Sequence, residues 1–135
     1  MSSDPATEAG GPVLLYVEDE PITQDLVVTA LRDAGFEVWT ASDGTHALDL
    51  LGTANGALRG LITDINLGDG PEGWEVAGKA RELTGGLPVV YVSGASVDEW
   101  TSKGVPNSLM IAKPFAPAQI VVAISSLLIA SDTAP

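Results

Sequence analysis

The sequence predicts an α/β protein, a five-stranded parallel sheet with helices on both faces. Three observations point there. Five short apolar runs of strand length alternate strictly with five stretches whose apolar residues recur at helical spacing. Glycine or proline falls at most of the boundaries between them. Most of the runs are continuously apolar, as parallel strands buried on both faces must be.

The first strand is 13–17, Val-Leu-Leu-Tyr-Val, between Pro12 and the acidic trio Glu18, Asp19 and Glu20. Pro21 suits the first turn of a helix; Val27, Ala30, Leu31 and Ala34 then follow at i, i+3, i+4 and i+7, and Gly35 stops it. Residues 36–41 alternate and are rich in aromatic and β-branched side chains, which makes them the second strand. Asp43 caps a second helix with Ala47, Leu48 and Leu51 on its apolar face, closed by Gly52. The third strand, about 58–63, delivers Asp64 to a polar, glycine-rich loop. Val76, Ala80 and Leu83 mark the third helix, ended by Gly85 and Gly86. The fourth strand, 87–92, exits through Ser93, Gly94 and Ala95; a short helix, 97–103, follows. The fifth strand, 108–112, runs into Lys113-Pro114-Phe115, and the last helix covers roughly 117–130.

A chain of 135 residues has room for one packed core. Residues 1–12 are expected to form a flexible tail, 13–130 the folded domain and 131–135 a loose end. Without cysteine there is no disulfide framework, no thiolate metal site and no cysteine nucleophile. The start of the chain has neither the basic residues nor the apolar stretch of a secretory signal, and no apolar run reaches the ~18 residues of a membrane span. The expected location is the cytoplasm. A formal charge of −12 argues against direct binding to nucleic acid, whose affinity comes from Lys and Arg on phosphates.

Parallel topology puts every strand exit on one edge of the sheet, where open α/β proteins bind their ligands. Glu18 and Asp19, Asp64, Ser93 and Lys113 should therefore converge there. Carboxylates crowded in this way repel one another, and either protonation or a bound cation must relieve the repulsion. Oxygen donors in a partly open site favour Mg²⁺, which also takes waters and phosphate oxygens.

With those residues in that order, the chain resembles the receiver domain of response regulators, the phospho-accepting module of two-component signalling, over about 13–130. The resemblance implies a flavodoxin-like (βα)5 fold with strand order 2-1-3-4-5. It implies that Glu18 and Asp19 bind Mg²⁺, with Asp19 the more direct ligand, together with Asp64 and the backbone carbonyl of Asn66. Asp64 matches the phosphorylated aspartate, Ser93 the hydroxyl that bonds the phosphoryl group, Lys113 the lysine that pairs with it, and Lys113-Pro114 a cis peptide. The implied partners are a histidine kinase or a histidine phosphotransfer protein, and an unknown output protein. Since the chain stops soon after the fifth helix, the expectation is a single-domain regulator acting through protein contacts; it is a signalling domain rather than an enzyme in the ordinary sense.

The sequence also departs from the family pattern. Met110 stands where many receivers carry Tyr or Phe, the loop 68–73 is slightly long, and Gly94 replaces a common Ala. Met110 keeps a second function open, a phosphorylation-independent docking scaffold. A third is an aspartyl-phosphate hydrolase of the haloacid dehalogenase type, but that family needs an acid where this chain has Asn66.

Bland roles suit the remaining conspicuous residues. His46, the one histidine, belongs on a solvated helix face, and Trp39, Trp74 and Trp100 are packing residues. Acid at 72–75 reads as a solvated loop and helix start. The last helix is apolar on one face through Ile120, Ile124, Leu127 and Leu128, and on the other through Val121, Val122 and Ile129. A helix apolar all round is usually covered all round. The expected cover is a second copy of the chain or a partner, docked on the face shared by the fourth helix, fifth strand and last helix.

Overall fold

A computed structural model describes residues 11–54 and 56–133. Its strands are β1 (Val13–Val17), β2 (Glu37–Ala41), β3 (Leu58–Asp64), β4 (Val89–Ser93) and β5 (Ser108–Ala112). All pair in parallel, in the order β2-β1-β3-β4-β5. The helices are α1 (Pro21–Asp33), α2 (Gly44–Ala54), α3 (Gly73–Leu83), α4 (Trp100–Lys103), entered through a 3-10 turn at Val97–Glu99, and α5 (Pro117–Thr133). The fold is the flavodoxin-like arrangement expected.

Side chains on successive strand residues point to opposite faces, so the sheet separates two cores. Leu14, Tyr16, Ile62, Val90 and Val92 pack against Val27, Val28 and Leu31 of α1 and Ile120, Ile124 and Leu128 of α5. Leu15, Val17, Leu61, Val89 and Tyr91 pack against Ala47 and Leu51 of α2 and Val76, Ala77 and Ala80 of α3. Gly60 permits the close approach of α5: a Cβ there would lie 2.9 Å from Ile124 Cδ1 and 3.0 Å from Leu14 Cδ2. Caps fix the helix starts. Glu20 accepts the Thr23 N–H at 2.6 Å, Asp43 accepts the His46 N–H at 2.7 Å, and Glu75 reaches back to the Glu72 N–H at 3.3 Å.

Several boundaries differ from those the sequence suggests, for physical reasons. β2 begins at Glu37 rather than at 36, its N–H bonded to the Pro12 carbonyl at 2.9 Å. Residues 1–10 of the expected tail lie outside the described residues, as do Asn55, Ala134 and Pro135. β4 starts at Val89 because Pro88 has no N–H for the ladder and Leu87 turns its own to Thr84 O, at 3.2 Å. β3 runs one residue further than expected, to Asp64 itself, paired with Val92. α5 continues to Thr133, three residues into the stretch expected to be loose, and Asp132 in that turn pairs with Arg59 at 2.8 Å. No described helix is long and apolar enough to cross a membrane.

Candidate functional site

Strand register gathers the site. Val17 pairs with Thr63, so one step beyond the ladder Glu18 stands beside Asp64; Asp64 pairs with Val92, and Ser93 with Ala112, which precedes Lys113. Glu18, Asp19 and Asp64 each place a carboxylate oxygen within 4.8 Å of the others. Glu18 and Asp64 are buried, at 1% and 3% exposure, whereas Asp19 is exposed. The Lys113 ammonium lies 2.6 Å from Asp64 Oδ2. Its backbone N–H donates to Ser93 O at 2.9 Å, and the Lys113-Pro114 peptide is cis.

Glu18 is held at both ends. Tyr16 Oη donates to its Oε1 at 3.2 Å and the Glu20 N–H to its Oε2 at 3.2 Å, while Gln24 Nε2 donates to its backbone carbonyl at 3.0 Å. Burial, followed by the charge of Asp64, pushes the Glu18 carboxyl up to about 7, against the opposing pull of its hydrogen bonds and of Lys113. Burial alone would lower the Lys113 pKa; the hydrogen bond and charge of Asp64, with Glu18 and Asp19 behind them, raise it above its ordinary value instead. Two buried acids and one exposed acid around a small space, one of them reluctant to ionise, are a donor set suited to a hard divalent cation. The residues present fit Mg²⁺.

Ser93 is wholly buried, and its Oγ accepts the N–H groups of Ser96 at 2.8 Å and Ala95 at 3.2 Å. That leaves the hydroxyl proton as what Ser93 has to offer an incoming anion. Asn66 is exposed, two residues past Asp64, in a loop that turns at Gly68 and Gly70, both with positive φ. Gly73 closes the loop: its N–H bonds Ile65 O at 2.9 Å, and a Cβ there would run into the Asp64 carbonyl. The start of α3 is thereby pinned directly beneath the acid.

Met110 is half-buried in β5, in register with Tyr91. The aromatic groups on this side lie elsewhere. Trp74 and Tyr91 stack obliquely at 4.8 Å, Tyr91 Oη accepts the Val105 N–H at 3.0 Å, and Trp100 Nε1 donates to Ser108 Oγ at 2.9 Å. His46 is exposed on α2, as its place in the sequence suggests. Sequence reasoning assigned Tyr16 to the core alone and gave Gln24 no role. The signal for Tyr16 was available, since i and i+2 on one strand share a face.

Fold and site together define a (βα)5 domain with an acid-lined pocket at the carboxyl edge of its sheet, a lysine beside the central acid and a serine one strand away. Residues 14–125 match the response regulator receiver domain family. The chain belongs to that family, whose members are the receiver domains of two-component systems. A response regulator receiver protein from Sinorhizobium medicae is 40% identical, with a TM-score of 0.85, over 90% of this chain and 98% of that one. The probable transcriptional regulatory protein TcrX of Mycobacterium tuberculosis is 30% identical over 88% of this chain, which spans about half (51%) of its length. The receiver domain of a Pseudomonas aeruginosa sensor histidine kinase, solved with magnesium in its active-site cleft, shares the fold at 20% identity and a TM-score of 0.73, over 88% of this chain and 98% of that one.

Proposed function

We propose that this chain is a response regulator receiver domain that accepts a phosphoryl group on Asp64, in a Mg²⁺-dependent reaction, from a histidine kinase or a histidine phosphotransfer protein. The observation that carries this is the Asp64–Lys113 pair at 2.6 Å inside a ring of carboxylates within 4.8 Å of one another.

An Asp64 oxygen attacks the phosphorus of a phosphohistidine in line; the P–N bond breaks, its electron pair returns to the imidazole, and an acyl phosphate forms. Lys113 exchanges its carboxylate partner for a phosphoryl oxygen, and Ser93 donates its proton to another. Glu18, Asp19, Asp64 and the Asn66 carbonyl hold Mg²⁺, which when bound offsets charge on the phosphoryl oxygens. As Ser93 turns to the new anion it releases the Ala95 and Ser96 N–H groups, and the segment leading into α4 rearranges.

The donor approaches beside Lys113, where Ile22 and Leu26 of α1 stand exposed and a cavity of about 470 Å³ is lined by Glu20, Thr23, Leu26, Lys113, Phe115 and Pro117. The output surface is the α4-β5-α5 face, where Val122 and Ile129, each 65% exposed, offer apolar area to a partner or a second copy.

Intact mass after incubation with a small phosphodonor and Mg²⁺ tests the reading. One added phosphoryl group, absent in Asp64→Asn and with chelator, is the expected result. A folded protein that takes up no phosphoryl group, and fails to bind a fluoride mimic of phosphate, overturns it and favours the docking scaffold that Met110 suggests.

A further inference from the structure

Tyr16 is a buried aromatic of β1 with a polar end, and the core gains nothing from that end. Its ring sits among Leu14, Val27, Ile62 and Ile120, a setting that phenylalanine would fill equally well. A buried hydroxyl is tolerated only when it is hydrogen-bonded, and its bond adds little net stability. Among the described residues the one side-chain partner of this hydroxyl is Glu18 Oε1, 3.2 Å away, two residues on along the same face of the strand.

The other Glu18 oxygen is taken by the Glu20 N–H at 3.2 Å, and that N–H belongs to the residue that caps α1 through Thr23. One carboxylate is thus clamped from two sides, by the strand beneath it and the helix start above it. Neither Asp19 nor Asp64 has a tyrosine hydroxyl on it. Free rotation about the Glu18 side-chain bonds would let the longest of the three acids swing away from its repelling neighbour Asp64; the clamp prevents that. Groups that orient a metal-binding carboxylate from behind tune affinity as strongly as some direct ligands do.

We infer that Tyr16 is a positioning residue for the divalent cation, its hydroxyl fixing the Glu18 carboxylate in the orientation that closes the acidic pocket. The inference rests on the Mg²⁺ reading of that pocket. It adds a residue from the sheet's interior to a site otherwise built from strand ends and loops. The ring is rigid and packed, so the orientation is set before a cation arrives.

The test is a double-mutant cycle read by Mg²⁺ affinity, measured from tryptophan fluorescence or calorimetry on the full chain without phosphodonor. Tyr16→Phe should weaken Mg²⁺ binding about tenfold while the fold, checked by circular dichroism, is kept. In a Glu18→Gln background the same change should alter affinity less than about twofold, because the partner it acts through no longer carries the charge. Equal losses in both backgrounds, or no loss in the parent, overturn the inference. A parent that binds no Mg²⁺ overturns the pocket reading itself, an outcome seen before any variant is made. Should Tyr16→Phe not fold, the Cζ resonance of labelled Tyr16 in the parent serves instead. It should shift on addition of Mg²⁺ and remain unmoved in Glu18→Gln; a resonance indifferent to Mg²⁺ in the parent counts against the clamp.

Discussion

Lys113 Nζ lies 2.6 Å from Asp64 Oδ2, although Asp64 ends β3 and Lys113 follows β5, with β4 between the two strands, and the lysine is the one cation paired with these carboxylates among the described residues. The pair places opposite demands on two ligands. A phosphoryl group needs the ammonium, whereas a metal ion is repelled by it. Lys113→Met should therefore slow labelling by a small phosphodonor about a hundredfold, the usual loss when one fixed donor to a developing charge is removed. The same variant should bind Mg²⁺ at least as tightly as the parent. Labelling rate by mass and Mg²⁺ affinity by calorimetry check both halves.

Glu18 gives the chain a pH signature. Its carboxyl rises from 4.5 to about 7 on folding, so the folded chain holds that proton more firmly than the unfolded chain does. Stability then falls as pH rises through that window. In chelator, Tm should drop by about 5 °C between about pH 5 and about pH 7.5. Glu18→Gln should shrink the drop and raise Tm at the upper end, while Mg²⁺ should rescue the parent more than the variant. Thermal melts at the two pH values, with and without Mg²⁺, decide it.

Ser93→Ala removes the acceptor of the Ala95 and Ser96 N–H groups. Leaving such donors short of a partner costs about 1–3 kcal/mol. The expected outcome is a lower denaturant midpoint together with slower phosphoryl uptake, measured by urea melts and intact mass. Uptake unchanged in the variant would remove Ser93 from the chemistry and leave it a turn residue.

Gly60 in β3 and Gly73 at the start of α3 should respond unequally to alanine. At Gly73 the added methyl meets the Asp64 carbonyl and lies 2.9 Å from Ile65 Cα, backbone that cannot yield. At Gly60 it meets the ends of Ile124 and Leu14, which can turn aside. Gly73→Ala should destabilise by about 3 kcal/mol and slow phosphoryl uptake; Gly60→Ala should cost about 1 kcal/mol and leave uptake nearly intact. Urea denaturation of both variants ranks them.

The strand exits were legible because burial on both faces leaves an unmistakable apolar run, and because Glu18, Asp64, Ser93 and Lys113 each end one. Other features needed three dimensions. The tight seat of Gly73 reads in sequence as one more loop glycine, since what it avoids is the carbonyl of Asp64 nine residues earlier. α5 passes Ala130 because nothing in Ser131-Asp132-Thr133 forbids helix, and Asp132 finds Arg59 of β3. The helical spacing over 97–103 resolves into a 3-10 turn and one α-turn, a distinction that periodicity over so few residues does not carry. The reach of Glu75 back to the Glu72 N–H was hidden only because acid in a glycine-rich stretch reads as solvated.

β3 is flanked on both sides, by β1 and β4, whereas β5 closes the sheet as its outermost member and the 97–103 stretch after β4 has no buried residue. Bracing thus holds from Asp64 to Ser93, since β4 is also flanked on both sides, and declines towards Lys113 and α4. Amide exchange should follow that gradient, slowest at 61–64 and fastest at 97–103. Under the proposed function, a charge added at the stiff end would be felt only where the framework yields, and the layout of the strands would give the signal its direction: outward, from the anchored middle of the sheet to its compliant margin.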